Sequence, residues 1–189
     1  MKKIANMKLW LAARHHALRL KRDTSGMAAI EFVFIVPLML VIFFGTIELS
    51  NGVAADRKVT ITARTLSDLV SQNTNVTNLQ MTNFFKMGTA IMTPYSGTPM
   101  TLRVSAVSIN GSGQATVAWS DGNGIAGRTV GSTVTVPAGL IVNNTQLIWS
   151  EIAYTYTPAV GYVMKTAVTL NDVCYTRPRQ STTVSRSAT

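Results

Sequence analysis

The sequence predicts an α+β protein: a transmembrane helix near the N-terminus, an amphipathic stalk helix continuing from it, and a mostly antiparallel β-sheet domain. Three observations carry this. Residues 28–47 read AAIEFVFIVPLMLVIFFGTI, twenty residues in which Glu31 is the only ionisable group. Val59, Ala63, Leu66 and Val70 then recur at the spacing of one helix face. Beyond Pro99 apolar and polar residues alternate, the period of half-buried strands. Helices first and strands after is the order of an α+β fold rather than of a parallel, doubly wound one.

The first segment, residues 1–26, is basic. It holds Lys2, Lys3, Lys8, Arg14, Arg19, Lys21 and Arg22 against Asp23, a net +6 out of the chain's +9. Charge concentrated directly before an apolar run reads as a topology signal rather than a nucleic-acid face, so no nucleic-acid partner is expected. Ile4, Met7, Leu11 and Leu18 form a stripe flanked by Lys8, Arg14 and Arg19, which suits the inner surface of an anionic membrane. Only Arg57, Lys58 and Arg64 follow within about twenty residues of the span. The N-terminus is therefore expected in the cytoplasm and everything after about Leu49 on the far side.

The second segment, residues 27–49, is the span. As a helix, twenty apolar residues extend about 30 Å, the thickness of a hydrocarbon core. A buried core helix would have to be apolar on every face and yet precede a separate polar domain. A cleaved secretory signal fits poorly, because the run is too long, its basic approach too extended, and no small-x-small site follows.

Glu31 is the anomaly. An ionised Asp at the centre of a membrane helix costs about 2.5–3.5 kcal/mol on insertion scales, less toward the ends. One reading is an interfacial acid favoured by the free amides of a helix N-terminus. The spacing suggests another. A cut after Gly26 would create an ammonium on Met27 and make Glu31 the fifth residue of the shortened chain. A neighbouring subunit staggered by about one turn would then pair amine and acid in a low-dielectric setting. Pro37 cannot donate to the carbonyl of Val33 and is expected to bend the span.

These residues carry a resemblance. Gly26, four residues, Glu31 and Phe32 resemble the processing site of type IV prepilins, particularly the G-x-x-x-x-E-[YF] pattern of Flp-type pilins and pseudopilins. The longer run GMAAIEFVFIVPLMLVIFFGTIEL resembles the TadE/TadG-like proteins of the tight adherence (Tad) pilus machinery, including the interrupting proline and the closing Gly-x-x-Glu, here Gly45 to Glu48. The resemblance implies processing at Gly26–Met27 by a prepilin peptidase, assembly through Glu31 and Phe32, and pilin-like subunits and other Tad components as partners. It implies a bacterial inner membrane crossed once, with the outer domain in the periplasm. Phe32 where the major Flp pilins have Tyr favours a pseudopilin or assembly factor over a bulk filament subunit. Glu48, at the far interface, is expected to reach water.

The stalk, residues 50–72, resembles the second half of the long N-terminal helix of pilins, which packs under a sheet. NTNVTN ends it, and the outer domain is expected over residues 73–189. Thr77 with Gln80 forms a capping-box pattern ahead of LQMTNFFKMGTAIM, a short helix ended by Thr93 and Pro94. MTLRVSAVSI, QATVAWS, STVTV, LIWSEIAYTYT and KTAVTLNDVCY read as strands. Asn110-Gly111, Asp121-Gly122, Pro137-Ala-Gly139 and Pro158 read as turns between them. Trp119 and Trp149, on adjacent candidate strands, read as core.

Other chemistry finds little support. Gly122, Gly124 and Gly127 fit G-x-G-x-x-G, but RTVGSTVTV follows rather than a helix, so a glycine-rich hairpin loop is preferred and no cofactor is expected. No G-x-S-x-G exists, and the only histidines, His15 and His16, are adjacent and lie in the leader. Cys174 is the only cysteine and reads as a buried small hydrophobe. The expectation is a non-enzymatic assembly protein. The alternative is an uncleaved, membrane-anchored protein whose outer domain binds an envelope protein or surface polymer.

Overall fold

The computed structural model describes residues 25–98, 100–158, 161 and 166–188. The basic leader, with its amphipathic stripe, lies outside them. A single helix, α1, runs Ser25–Ser71 and contains both the predicted span and the predicted stalk. It continues through Pro37. The chain divides into two units, the first ending at Thr46 and the second beginning at Ile47. Among the described residues the first unit is helix alone.

In the second unit the stripe read from the sequence does what its spacing implies: Val59, Ala63, Leu66 and Val70 are all fully buried. The end of α1 is tied off by capping of its free carbonyls. Asn73 donates from its side chain to the Leu69 carbonyl, and the Arg179 amide donates to that of Ser71 at 2.8 Å. A two-residue strand, β1 (Asn75–Val76), leads into helix α2 (Asn78–Ile91). The capping box at its start is complete. The Gln80 amide donates to Thr77 Oγ1, and the Thr77 amide to Gln80 Oε1. At the other end Lys58 of α1 donates from Nζ to the Ile91 carbonyl at 2.9 Å, placing a cation at the negative pole of α2. Gly88 allows the close approach. A Cβ there would stand 3.3 Å from Thr62 Cγ2 and 3.4 Å from Leu66 Cδ1, both on α1.

Four strands follow: β2 (Met100–Ile109), β3 (Ala115–Asn123), β4 (Thr145–Tyr156) and β5 (Val168–Thr176). They form one antiparallel sheet in the order β3-β2-β4-β5. A last short strand, β6 (Ser185–Arg186), returns to pair in parallel with β1. The architecture is thus α+β, with a long apolar N-terminal helix followed by a mostly antiparallel sheet domain.

Alternation gives the sheet two apolar faces. Leu102, Val104, Ala106, Ile148, Ile152, Tyr154 and Tyr156 belong to the core they share with the buried stripe of α1. Hydroxyl groups fasten helix to sheet within it: Ser150 Oγ donates to the Ala63 carbonyl at 2.6 Å and Ser67 Oγ to that of Ile148 at 3.2 Å. Val107, Ile109, Leu147 and Trp149 form a second cluster on the other face, closed by Val136 with Val134 and Leu140. A bulge in the β2–β3 pairing, where Ala106 faces Trp119 but Val107 faces Val117, changes the side to which β3 residues point. Trp119 therefore joins the helix-side core while Ala115 joins the other.

Several sequence expectations need correction. STVTV is not a strand; it contributes one isolated bridge, Thr116 to Thr133, because its two valines are used to cover the second cluster. The reversal expected at Asp121-Gly122 falls later, since β3 runs to Asn123. The two tryptophans are core, but β2 separates their strands and they lie in different clusters.

Candidate membrane and assembly site

In the first unit Gly26 sits in the opening turn of α1, and a Cβ placed on it would meet nothing within 4 Å among the described residues. Met27, Glu31 and Phe32 follow on an exposed stretch of the same helix. Five residues of helical rise put Gly26 and Glu31 about 7.5 Å apart along the axis. The Glu31 side chain is exposed and makes no hydrogen bond or ion pair among the described residues. From Ile30 to Phe43 the large apolar side chains point outward on all sides, Phe34 reaching 75% exposure. A helix apolar all round and uncovered needs an apolar surrounding. It is the one helix among the described residues long and apolar enough to cross a membrane, and it fits a single-pass anchor.

Gly45 is half-buried, and Glu48 is placed differently from the reading above. Instead of reaching water it is 1% exposed, buried in the second unit beside the end of β4. The surroundings are aromatic. Tyr95 donates from its hydroxyl to the Asn51 carbonyl at 3.1 Å and meets Tyr156 edge to face, with ring centres 6.1 Å apart. Gly52 faces the Tyr156 ring, where a Cβ would stand 3.7 Å from Cε1. Burial raises the pKa of Tyr156, and the charges of Tyr95, Glu48 and Tyr154 add to the shift. Helical spacing alone could not disclose this setting, because the tyrosines that create it lie far along the chain.

The most strongly coupled ionisable groups sit on the sheet. Glu151 of β4 accepts two hydrogen bonds from Arg103 of β2, at 2.8 and 3.0 Å, and two from Arg128, at 3.1 and 2.7 Å. Burial opposes its charged form, yet the hydrogen bonds of Arg128 and Arg103 and their charges outweigh it and hold the carboxyl below its ordinary pKa. Arg128 also lies 4.0 Å from the centre of the Trp149 ring, which stacks on Tyr175. Through Glu151, Arg103 ties β2 to β4 and Arg128 ties the loop after β3 to β4. Sequence reasoning missed it because register places Arg103 opposite Glu151 in the β2–β4 pairing and the reversal after β3 brings Arg128 back to them.

Two further expectations concern the glycine motif and the thiol. At Gly122–Gly127 the chain doubles back tightly. The Arg128 amide donates to Ser120 Oγ, and on the returning segment the Ser132 carbonyl accepts from the Val117 amide while the Gly131 amide donates to the Val117 carbonyl. A Cβ on Gly122 would stand 2.0 Å from the Ile125 carbonyl oxygen and one on Gly127 2.4 Å from that of Ser120, so the glycines serve the reversal. Cys174 is half-buried against the helix-side core, and burial raises its pKa despite a hydrogen bond with Ser67 and the charge of Arg64.

Compared with known proteins, residues 26–66 match the family model described as TadE-like protein. No curated protein and no solved structure matches the chain. The matched segment begins at Gly26, includes Glu31, Phe32, Pro37, Gly45 and Glu48, and ends within the buried stripe of α1 at Leu66. The match is consistent with a TadE/TadG-like protein of the Tad pilus.

Proposed function

We propose that this chain, TadE-like over residues 26–66, is a membrane-anchored pseudopilin or assembly factor for a Tad-type pilus or its secretion apparatus. It works through its N-terminal helix, is not an enzyme, and presents the sheet domain in the periplasm with its N-terminus in the cytoplasm. One observation supports the reading above others: the TadE-like match falls on a helix whose exposed apolar surface carries Glu31 five residues after Gly26. In the proposed mechanism a prepilin peptidase cuts after Gly26, and the new ammonium on Met27 pairs with Glu31 of a neighbouring pilin-like subunit. Each charge then has a counterion in lipid, where an unpaired one is costly.

Mass spectrometry of the membrane-extracted protein tests the first step, with a chain beginning at Met27 expected. Glu31→Gln tests the second. It removes charge and keeps shape, so membrane insertion is expected at the wild-type level and piliation well below it. An intact N-terminus together with normal piliation would instead leave the alternative, an uncleaved anchor whose outer domain binds an envelope protein or surface polymer.

A further inference from the structure

A cavity of about 360 Å³ opens between one face of α2 and the end of β3, and Arg186 of β6 lines it as well. It lies wholly within the second unit and shares no residue with the Glu151 cluster. Its volume is in the range of small-molecule sites. Met81 and Phe85, both buried, give it an apolar floor. Polar groups surround them, with Thr82, Lys86 and Thr89 on α2 and Asp121 and Asn123 on β3. Arg186 builds the frame. Its five N–H groups are all engaged: Nε with Asp121 Oδ2 at 2.8 Å, Nη2 with Asp121 Oδ1 at 3.3 Å and Asn78 Oδ1 at 2.5 Å, and Nη1 with the Val76 and Ser187 carbonyls. It thus neutralises Asp121 and fixes its position, and has no proton left for a ligand.

The groups not engaged in this way define the ligand. Lys86 is exposed and makes no hydrogen bond or ion pair among the described residues, so its ammonium is the uncompensated charge of the lining. The exposed Asn123 amide also has no partner among them and can both donate and accept. Thr82 and Thr89 donate their hydroxyl protons to the carbonyls of Asn78 and Phe85, which leaves their oxygens as acceptors. Asp121 keeps acceptor capacity beyond its two bonds. An inorganic anion would satisfy Lys86, but it brings few protons for the threonine and aspartate oxygens and nothing for Met81 and Phe85. An extended peptide supplies one amide proton per residue, about 3.3 Å apart and pointing in alternate directions. A sugar ring carries hydroxyls on adjacent carbons, so several protons enter such a space together, and its C–H face suits an apolar floor. We propose that the cavity binds an acidic saccharide. Its carboxylate lies on Lys86, its hydroxyls on Asp121, Asn123 and the threonines, and one ring face on Met81 and Phe85. The site goes beyond the assembly reading and stands whether or not the chain is cut at Gly26.

Isothermal titration calorimetry of the detergent-solubilised full chain tests the site. The probes are the trisaccharides of galacturonate and glucuronate, the neutral trisaccharides of galactose and glucose, inorganic phosphate, and a leucine tripeptide with a free C-terminal carboxylate. An acidic trisaccharide is expected to bind more tightly than its neutral counterpart and than phosphate or peptide. Lys86→Gln removes the ammonium at an exposed position, so the denaturation midpoint should stay unchanged while acidic-saccharide binding weakens roughly ten- to a hundredfold, toward the neutral sugar. Asn123→Ala is expected to weaken acidic and neutral sugars alike. Failure of both acidic trisaccharides to bind, equal binding by Lys86→Gln and wild type, or tighter binding of phosphate or peptide overturns the saccharide site.

Discussion

Three glutamates show how far one residue type is governed by its surroundings. Glu31 stands exposed on an apolar helix, Glu48 is buried beside tyrosines, and Glu151 is held by two arginines. The last makes a pH prediction. Its folded pKa is lowered, so the unfolded chain binds the proton more readily than the folded one. The stabilisation is therefore full above the ordinary carboxylate pKa and is lost as pH falls through the depressed one. Melting temperature followed from neutral to acid pH should show this loss as part of its acid limb. Glu151→Gln should lower the melting temperature at neutral pH and flatten that limb, since two arginines then face a neutral amide. An unchanged acid limb in the variant would assign acid sensitivity to other groups. Glu31 stood out in the sequence because an acid inside an apolar run is visible without a fold, and Glu48 only through the Gly-x-x-Glu resemblance; the surroundings of Glu151 arise from register and from the loop that carries Arg128.

Among the elements, those with local signals were legible and those defined by partners were not. The capping box at Thr77, the stripe from Val59 to Val70 and the strand MTLRVSAVSI all formed as read. STVTV has the right alternation, but alternation states only that every second side chain seeks an apolar surface. Here that surface is the second cluster, and ladder pairing is not needed to reach it. The packing of α2 on α1 hinges on Gly88. Gly88→Leu is expected to destabilise the protein by about 1–3 kcal/mol through overpacking against Thr62 and Leu66, while Gly88→Ala, which needs only a small adjustment, should cost less. Chemical denaturation of the detergent-solubilised chain measures both. Equal costs would mean that the crossing is looser than the contacts indicate.

At the scale of the molecule, stability of the second unit depends on the α1 stripe sharing a core with one face of the sheet. Leu66→Ala, at a fully buried position, should cost about 2–5 kcal/mol. Ile61→Ala, at an exposed position on the same helix, should change stability by about 0.5 kcal/mol or less. Denaturation curves of the two variants compare them directly, and similar losses would contradict the burial pattern. The α+β class, the apolar helix, its amphipathic continuation and the resemblance carried by Gly26, Glu31 and Phe32 were determined by sequence alone. They are properties of neighbouring residues, read from spacing and hydropathy. Tertiary structure alone decided that Glu48 is buried, that Arg103 and Arg128 converge on Glu151, that β6 returns to β1, and that a cavity opens between α2 and the end of β3. Each of these joins residues distant in the chain, and their meeting depends on strand order and register, which no local pattern encodes.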